Sequence, residues 1–253
     1  MIDIKNLSFS YGKDEFINGL NISFPDSAIT AIIGENGSGK STLLSLISKE
    51  LALKSGSIEI DGVPLQKLKR ADLARALSLF PQSRQIPDMT ALELVLMGRY
   101  PYLKDKFITP RRETELAFSA LLRVEAEKFA ERRLSSLSYG ERQRVYLAMQ
   151  IAQGSQNLLL DEPTNFLDVS SKFQMMELLL SLKSEGKCVI AVLHDLPLAF
   201  RYADRIAIMK NGKLTVFGSP EAIYESRCIE EAFGVKLAKA DGTNGTFYSV
   251  SPR

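Results

Sequence analysis

The densest chemistry in the chain lies in Gly34-Glu35-Asn36-Gly37-Ser38-Gly39-Lys40-Ser41, followed by Thr42. The spacing is G-x-x-x-x-G-K-[ST], a glycine-rich turn closed by a cation and a hydroxyl. Glycines let such a loop curl until its backbone N–H groups point inward at an anion. A helix beginning at its end adds partial positive charge. The chemistry implied is a cradle for the phosphates of a nucleotide. Lys40 would reach the β- and γ-phosphates, and the Ser41 hydroxyl would bind Mg²⁺. Further along, the apolar run Leu158-Leu159-Leu160 ends in Asp161-Glu162. Asp161 is placed to hold Mg²⁺, directly or through water. Glu162 is placed to orient or deprotonate a water attacking the γ-phosphate. His194 is the only histidine and directly follows the apolar run 188–193, with Asp195 after it. A lone histidine is more often structural, but a neutral imidazole here can hydrogen-bond a γ-phosphate oxygen or the attacking water.

These groups need elements that bring them together. Ala28-Ile29-Thr30-Ala31-Ile32-Ile33 reads as a buried strand ending at Gly34. A helix opens near Lys40 with Leu43, Leu44, Leu46 and Ile47 on its apolar side. The runs 158–160 and 188–193 are apolar without alternation, as parallel strands covered on both faces should be. Ligands in open α/β sheets sit beyond the carboxyl ends of such strands, where all three sites would lie. Before them, residues 2–9 alternate with a break at Lys5-Asn6, and 20–24 alternate again, which predicts two half-buried strands. Leu77–Phe80 reads as another short strand. From about 83 to 157 the pattern turns helical, with helices expected over 90–98, 111–123 and 138–153. Asn211-Gly212 between two apolar runs predicts a type I′ hairpin. The expected architecture is an α/β core interrupted by a helical block, with a tail over 237–253 that carries little signal.

Composition narrows the function classes. The 253 residues carry 32 Lys plus Arg against 30 Asp plus Glu, a net charge of +2. That gives nucleic acid no broad electrostatic footprint, so no nucleic-acid partner is expected. The N-terminus has no basic region followed by an apolar core, and no apolar run approaches the ~20 residues of a spanning helix. No signal peptide or transmembrane segment is expected, and any membrane role needs a partner chain. Cys188 and Cys228 read as reduced thiols of a cytosolic protein.

Together with two further segments these motifs resemble the ATP-binding cassette family over roughly residues 1–235. Leu137-Ser138-Tyr139-Gly140-Glu141-Arg142-Gln143 looks like the family's signature, usually L-S-G-G-Q, with Tyr139 in place of a glycine and Glu141 in place of the glutamine. Ser138-x-x-Glu141 is equally a capping box opening a helix. Gln82, after Phe80-Pro81, looks like the glutamine that links Mg²⁺ to the helical block. Tyr11 matches the aromatic residue that stacks on adenine, although the same tyrosine could be a turn residue. Asp168, in Asn165-Phe166-Leu167-Asp168, matches the family's D-loop.

The resemblance implies a P-loop NTPase core with a parallel sheet, an N-terminal antiparallel β subdomain and an inserted helical subdomain. As one cassette domain, residues 1–82 and 158–253 would form the core lobe and 83–157 the helical lobe. It implies ATP and Mg²⁺ as cofactors, with Ser41, Gln82 and Asp161 at the metal and Glu162, His194 and Gln82 in catalysis. Residues 34–42 with Tyr11 would hold ATP from one chain. Ser138, Gly140 and Asp168 would hold it from the other chain of a head-to-tail homodimer with two ATP at the interface. A cassette without spanning helices implies an integral-membrane permease at the cytoplasmic face of the cell membrane and, indirectly, a substrate-binding protein. Residues 94–102, Leu-Val-Leu-Met-Gly-Arg-Tyr-Pro-Tyr, resemble the V-x-x-G-R-x-P stretch of importers of iron-siderophore, haem or cobalamin-type chelates. The same segment also reads as an amphipathic helix and a proline turn. As a docking surface, residues 83–102 would be exposed, with Leu96, Met97, Tyr100 and Tyr102 as apolar anchors and Arg99 as a hydrogen-bonding one. The leading function is an ATPase powering such an importer. The alternatives are a translation or repair ATPase, which usually carries two cassettes or a long coiled coil, and an exporter subunit.

Overall fold

The computed structural model describes residues 1–12, 14–80, 86–103, 110–242 and 245–252. The chain opens with β1 (Ile2–Tyr11) and β2 (Asp14–Phe24), paired antiparallel with Ile2 opposite Phe24. The break in alternation is real. Asn6 takes a left-handed φ of 49°, and the register shifts between Ile4 and Leu7. The extra residue turns the strand so that Ile2, Ile4, Leu7 and Phe9 all stay buried. The second strand begins earlier than its alternation suggested, inside the polar stretch that reads as a connection. β3 (Ala28–Ile33) is buried at every residue and leads to α1 (Lys40–Ile47). β4 (Ser55–Ile60) and β5 (Val63–Pro64) complete an antiparallel sheet of order β2-β1-β4-β5.

α2 (Arg70–Ala76) precedes β6 (Leu77–Phe80). Then come α3 (Ala91–Met97), α4 (Arg111–Arg123) and α5 (Tyr139–Gln153), which pack on one another. Local chemistry sets their ends. Thr90 with Glu93 and Ser138 with Glu141 form capping boxes, and Gly154 closes α5 in a left-handed conformation at φ 70°.

The chain then returns to the core as β7 (Asn157–Asp161), α6 (Val169–Ser184), β8 (Cys188–Val192), α7 (Leu196–Tyr202), β9 (Arg205–Lys210) and β10 (Lys213–Gly218). The second sheet has the order β10-β9-β3-β8-β7-β6. Every pairing in it is parallel except that of β10 with β9. Between those two, Asn211 and Gly212 lie at φ 50° and 73°, the left-handed pair that a type I′ turn demands. Ile29, Ala31, Leu158, Leu160, Val189 and Ala191 face one core, shared with the helical block. Ile32, Leu159, Ile190 and Val192 face the other, shared with α1 and the antiparallel sheet. Burial on both faces is why these strands do not alternate. The parallel register sets Ile32 and Asp161 level with Val192, and Phe80 level with Leu160. The ends of β3, β7 and β8 therefore meet on one edge of the sheet.

The tail departs from the sequence reading. After α8 (Pro220–Ser226) and α9 (Cys228–Phe233), β11 (Val235–Gly242) and β12 (Gly245–Pro252) pair antiparallel. The Tyr248 ring lies 5.0 Å from Phe200 on α7 and 5.8 Å from Tyr224 on α8. Leu237 is the one buried residue of β11, so the strand has no apolar alternation to read. Among the described residues, no helix is long and apolar enough to cross a membrane.

Candidate functional site

β3 delivers the chain into the phosphate loop at Gly34. A Cβ there would stand 2.3 Å from the Met209 carbonyl oxygen and 2.6 Å from Ser38 Oγ, so only glycine fits. The loop is tied back by Ser38 N–H donating to the Glu35 carbonyl (3.2 Å) and by Gly212 N–H donating to the Ser38 carbonyl (3.0 Å). The β9–β10 turn thus braces it from below. Lys40 is 5% exposed, and its Nζ donates to the carbonyls of Gly34 and Glu35, each at 2.9 Å. Burial pulls its pKa down, while Glu162 and Asp161 pull it up. The Ser38 hydroxyl is buried without a hydrogen-bond partner among the described residues. A buried cation resting on its own loop and an unsatisfied hydroxyl are what a loop built for an anion should present.

β7 delivers Asp161 and Glu162. Burial pushes the Asp161 carboxyl above its ordinary range, opposed by a hydrogen bond from Ser41 and by the charge of Lys40. Its Oδ1 is buried with no partner among the described residues. A buried, unsatisfied carboxylate oxygen beside a serine hydroxyl suits a hard divalent cation such as Mg²⁺. Glu162 takes a left-handed φ of 55°, which turns its side chain away from the strand direction. Its Oε1 is hydrogen-bonded to His194 Nε2 and its Oε2 accepts from Asn165 Nδ2. The histidine at the end of β8 and the glutamate at the end of β7 are thus in direct contact. The grip of Asn165 on Glu162 does not follow from residue types alone. The three-residue spacing is its one sequence signal, with Asn165 N–H donating to the Glu162 carbonyl at 3.2 Å.

Tyr11 is 53% exposed. Its hydroxyl lies 3.0 Å from Thr42 Oγ1 on α1, and Phe9 and Phe16 hold its ring at 4.7 and 5.5 Å. A braced aromatic ring therefore stands beside the phosphate loop. Gln82 lies outside the described residues.

Ser138 and Gly140 stand elsewhere. With Asp168 they line a cleft of about 470 Å³ that includes none of residues 34–42. Both readings of the segment hold locally. Ser138 Oγ accepts from Glu141 N–H at 3.3 Å, and Glu141 accepts from Ser138 N–H at 2.7 Å. That second bond holds the Glu141 carboxyl below its usual range. Tyr139 meets Phe166 edge to face at 5.4 Å. Asp168 accepts from Ser171 N–H at 2.8 Å and caps α6. The Ser138–Asp168 cleft and the glycine-rich loop 34–42 are thus distinct regions of one chain.

The segment before residue 103 corrects one expectation. Of the stretch 83–102 expected to be exposed, 83–85 lie outside the described residues; Met97, Tyr100 and Tyr102 are exposed, but Ala91, Leu94 and Val95 are buried against the core, Leu96 is partly buried and Arg99 points inward. It pairs with Glu113 at 2.6 Å, with both side chains mostly buried. It also donates to the Ala152 carbonyl, and its guanidinium lies 4.2 Å over the Tyr102 ring. Tyr102 in turn donates to the Gln153 carbonyl at 2.9 Å. A Cβ on Gly98 would stand 2.4 Å from the Met149 carbonyl oxygen. Gly98 lets this segment pack closely on α5, and Arg99 and Tyr102 satisfy open carbonyls of its last turn, so Arg99 is not offered to a partner.

Several known proteins are similar to this chain. The sequence model of the ABC transporter family matches residues 17–165. The petrobactin import ATP-binding protein FpuD of Bacillus anthracis is 37% identical over 234 residues, covering 92% of this chain and 86% of that protein. A structure of an ABC transporter described as metal-chelate type, in an inward-facing conformation, superposes with a TM-score of 0.86 at 27% identity, over all of this chain and 97% of that one. A dimeric bacterial ABC transporter cassette superposes at 0.77 with 29% identity, over 87% of this chain and 99% of that one.

Proposed function

This chain belongs to the ABC transporter family, and from that premise we propose that it hydrolyses ATP to power import of an iron chelate through a separate permease. ATP-binding proteins of this family are ATPases coupled to transport. The observation that carries the residue roles is the convergence of three strand ends: Lys40 folded onto its own loop, Asp161 with an unsatisfied oxygen, and Glu162 held by His194.

On this reading Lys40 exchanges the carbonyls of Gly34 and Glu35 for β- and γ-phosphate oxygens, and the N–H groups of residues 34–42 wrap the rest. Tyr11 stacks on the base. Ser41 and Asp161, with Gln82, hold Mg²⁺, which when bound neutralises phosphate charge. Glu162 orients or deprotonates the attacking water. His194 and Asn165 aim its carboxylate, and His194 offers a hydrogen bond to the γ-phosphate side. The Ser138–Asp168 half completes the site of a second copy, giving a head-to-tail homodimer with two ATP between the chains. That the two regions are distinct in one chain, and that a similar cassette is dimeric, supports this arrangement. The core lobe is residues 1–82 and 158–253, and the helical lobe 83–157.

The likenesses to FpuD and to the metal-chelate transporter support an iron-siderophore or related chelate as cargo. The permease docks at the exposed Met97, Tyr100 and Tyr102, holding the chain at the cytoplasmic face of the membrane, and a substrate-binding protein supplies the chelate. The test is chelate uptake by cells that express the permease together with this chain or its Lys40→Ala variant. Uptake that depends on the parent and is lost in the variant supports the reading. Uptake indifferent to the chain refutes it.

A further inference from the structure

We infer that Arg75 and Gln153 are positioning residues that fasten the exposed turn Tyr100–Tyr102 to the end of α2, so that a partner pressing on the turn moves β6 and, beside it, the strand that carries Asp161. The inference rests on the docking part of the reading above and adds the joint through which docking is felt. Tyr100–Tyr102 is one turn of 3₁₀ helix, and none of its three residues is buried. Apolar burial therefore does not hold it. Side-chain donors hold it instead, each aimed at a backbone carbonyl. Arg75 reaches across from α2 and donates through Nε (3.0 Å) and Nη2 (2.6 Å) to the Pro101 carbonyl. Its guanidinium lies 5.6 Å from the centre of the Tyr102 ring, and that of Arg99 lies 4.2 Å from the same centre, so two cations attend one ring. The Tyr102 hydroxyl donates to the Gln153 carbonyl at 2.9 Å. Gln153 closes the circuit, its Nε2 donating to the carbonyls of Ala74 and, at 2.9 Å, Leu77.

Three elements thus meet in one polar joint: the end of α2, the exposed turn and the last turn of α5. α2 runs directly into β6 at Leu77. β6 pairs in parallel with β7, and Phe80 stands level with Leu160, one residue before Asp161. A shift at Pro101 is passed by Arg75 to α2, and by Tyr102 and Gln153 to the first residue of β6, whose ladder with β7 carries it toward Asp161. Met97 and Tyr100 stay exposed beside the joint to meet the partner. Asp72 also pairs with Arg75 at 3.5 Å, but both side chains are about half exposed. That pair adds little, and the carbonyl contacts are the anchor. Removing the Arg75 or the Gln153 side chain leaves only backbone carbonyls behind and no buried charge, so the fold should survive either change.

The test compares the chain alone with the chain assembled with its permease in liposomes. In the chain alone, Arg75→Ala should speed hydrogen exchange over 97–103 by about 10-fold or more, the share of one charge-assisted hydrogen bond. Basal ATP hydrolysis should stay at the parent rate, and the variant should still melt cooperatively. In the assembly, the factor by which the permease changes the hydrolysis rate should shrink by about 2–30-fold, the span by which residues lying between two sites alter their coupling. Gln153→Ala should do the same, and the double variant should lose no more than the worse single one, since both cut one circuit. Arg75→Lys should recover part of the loss, and Asp72→Ala should match the parent in both measurements. A role confined to the fold would lower basal hydrolysis together with the permease's effect, and that result refutes the inference. If the permease changes the rates of Arg75→Ala and Gln153→Ala as much as the parent's, the inference is likewise refuted and the docking reading stands. If the permease leaves the parent's own rate unchanged, the docking reading falls and the joint with it.

Discussion

Replacing Glu162 with Gln changes one atom at the centre of the site. The two carboxylate oxygens of Glu162 are taken by His194 Nε2 and Asn165 Nδ2. A glutamine can keep both contacts, its carbonyl accepting from Asn165 and its NH₂ donating to an unprotonated His194 Nε2. Lys40, Ser41 and Asp161 are untouched, so ATP binding should hold within about 3-fold, a difference of well under 1 kcal/mol. What is lost is the negative charge and basicity aimed at the water. General acid–base catalysis contributes about 10²–10⁴-fold, so kcat should fall by that factor, about 3–5 kcal/mol in barrier. Phosphate release at saturating ATP, with calorimetric ATP affinity measured on the same preparation, separates the two quantities. A variant that hydrolyses ATP at the parent rate would remove Glu162 from the water-activating role. A variant that loses affinity and rate together would mean that Glu162 binds rather than catalyses.

The other expectations concern the surrounding residues. Asp161→Asn should stabilise the chain against unfolding at neutral pH when nucleotide is absent. The folded carboxyl titrates above its ordinary 3.8 because burial disfavours the charge; the folded state therefore keeps its proton longer, and this site's contribution to stability falls as pH rises through that interval. The same variant should lose the added melting temperature that Mg²⁺ with ATP confers on the parent, and a parent stabilised no less than the variant at pH 7 without ligand contradicts the argument. Tyr11→Ala should weaken ATP binding by about 1–3 kcal/mol, the range for aromatic stacking on a base, while affinity for inorganic triphosphate stays level. Arg99→Ala leaves Glu113 buried without its cation and should cost about 3–5 kcal/mol in urea unfolding; Arg99→Ala with Glu113→Ala should cost less than the single change. Burial pushes the Cys188 thiol up to about 12, so at pH 8 a thiol reagent should label Cys188 only as fast as the chain unfolds.

Where the sequence pattern is local, it was legible. The expected ends of α4 and α5 coincide with the structure because Ser138 and Gly154 fix α5 through a cap and a left-handed stop, and because α4 has a broad polar face. The three strand ends could be read because continuous apolar runs bounded by Gly34, Asp161 and His194 leave one arrangement in a parallel sheet. Two things were not local. The inward turn of Arg99 depends on the Ala152 carbonyl at the end of α5, 53 residues away, and no periodicity encodes it. The tail hairpin is solvated along nearly all of β11, so it lacks the alternation that marks a strand. The contact of Glu162 with His194 lies between these cases: both residues were legible as strand-end groups, but the left-handed backbone at 162 that points one at the other was not.

The central claim is that residues 34–42 form the ATP site and that Lys40 is its cation. Isothermal calorimetry of Mg²⁺ with ATP into the parent chain and into Lys40→Ala measures that most directly. The account predicts saturable binding of one ATP per chain in the parent, and a loss of at least about 100-fold in a variant that still melts cooperatively, since the vacated Nζ leaves phosphate charge uncompensated in a buried site. Equal affinity in the two proteins would contradict it.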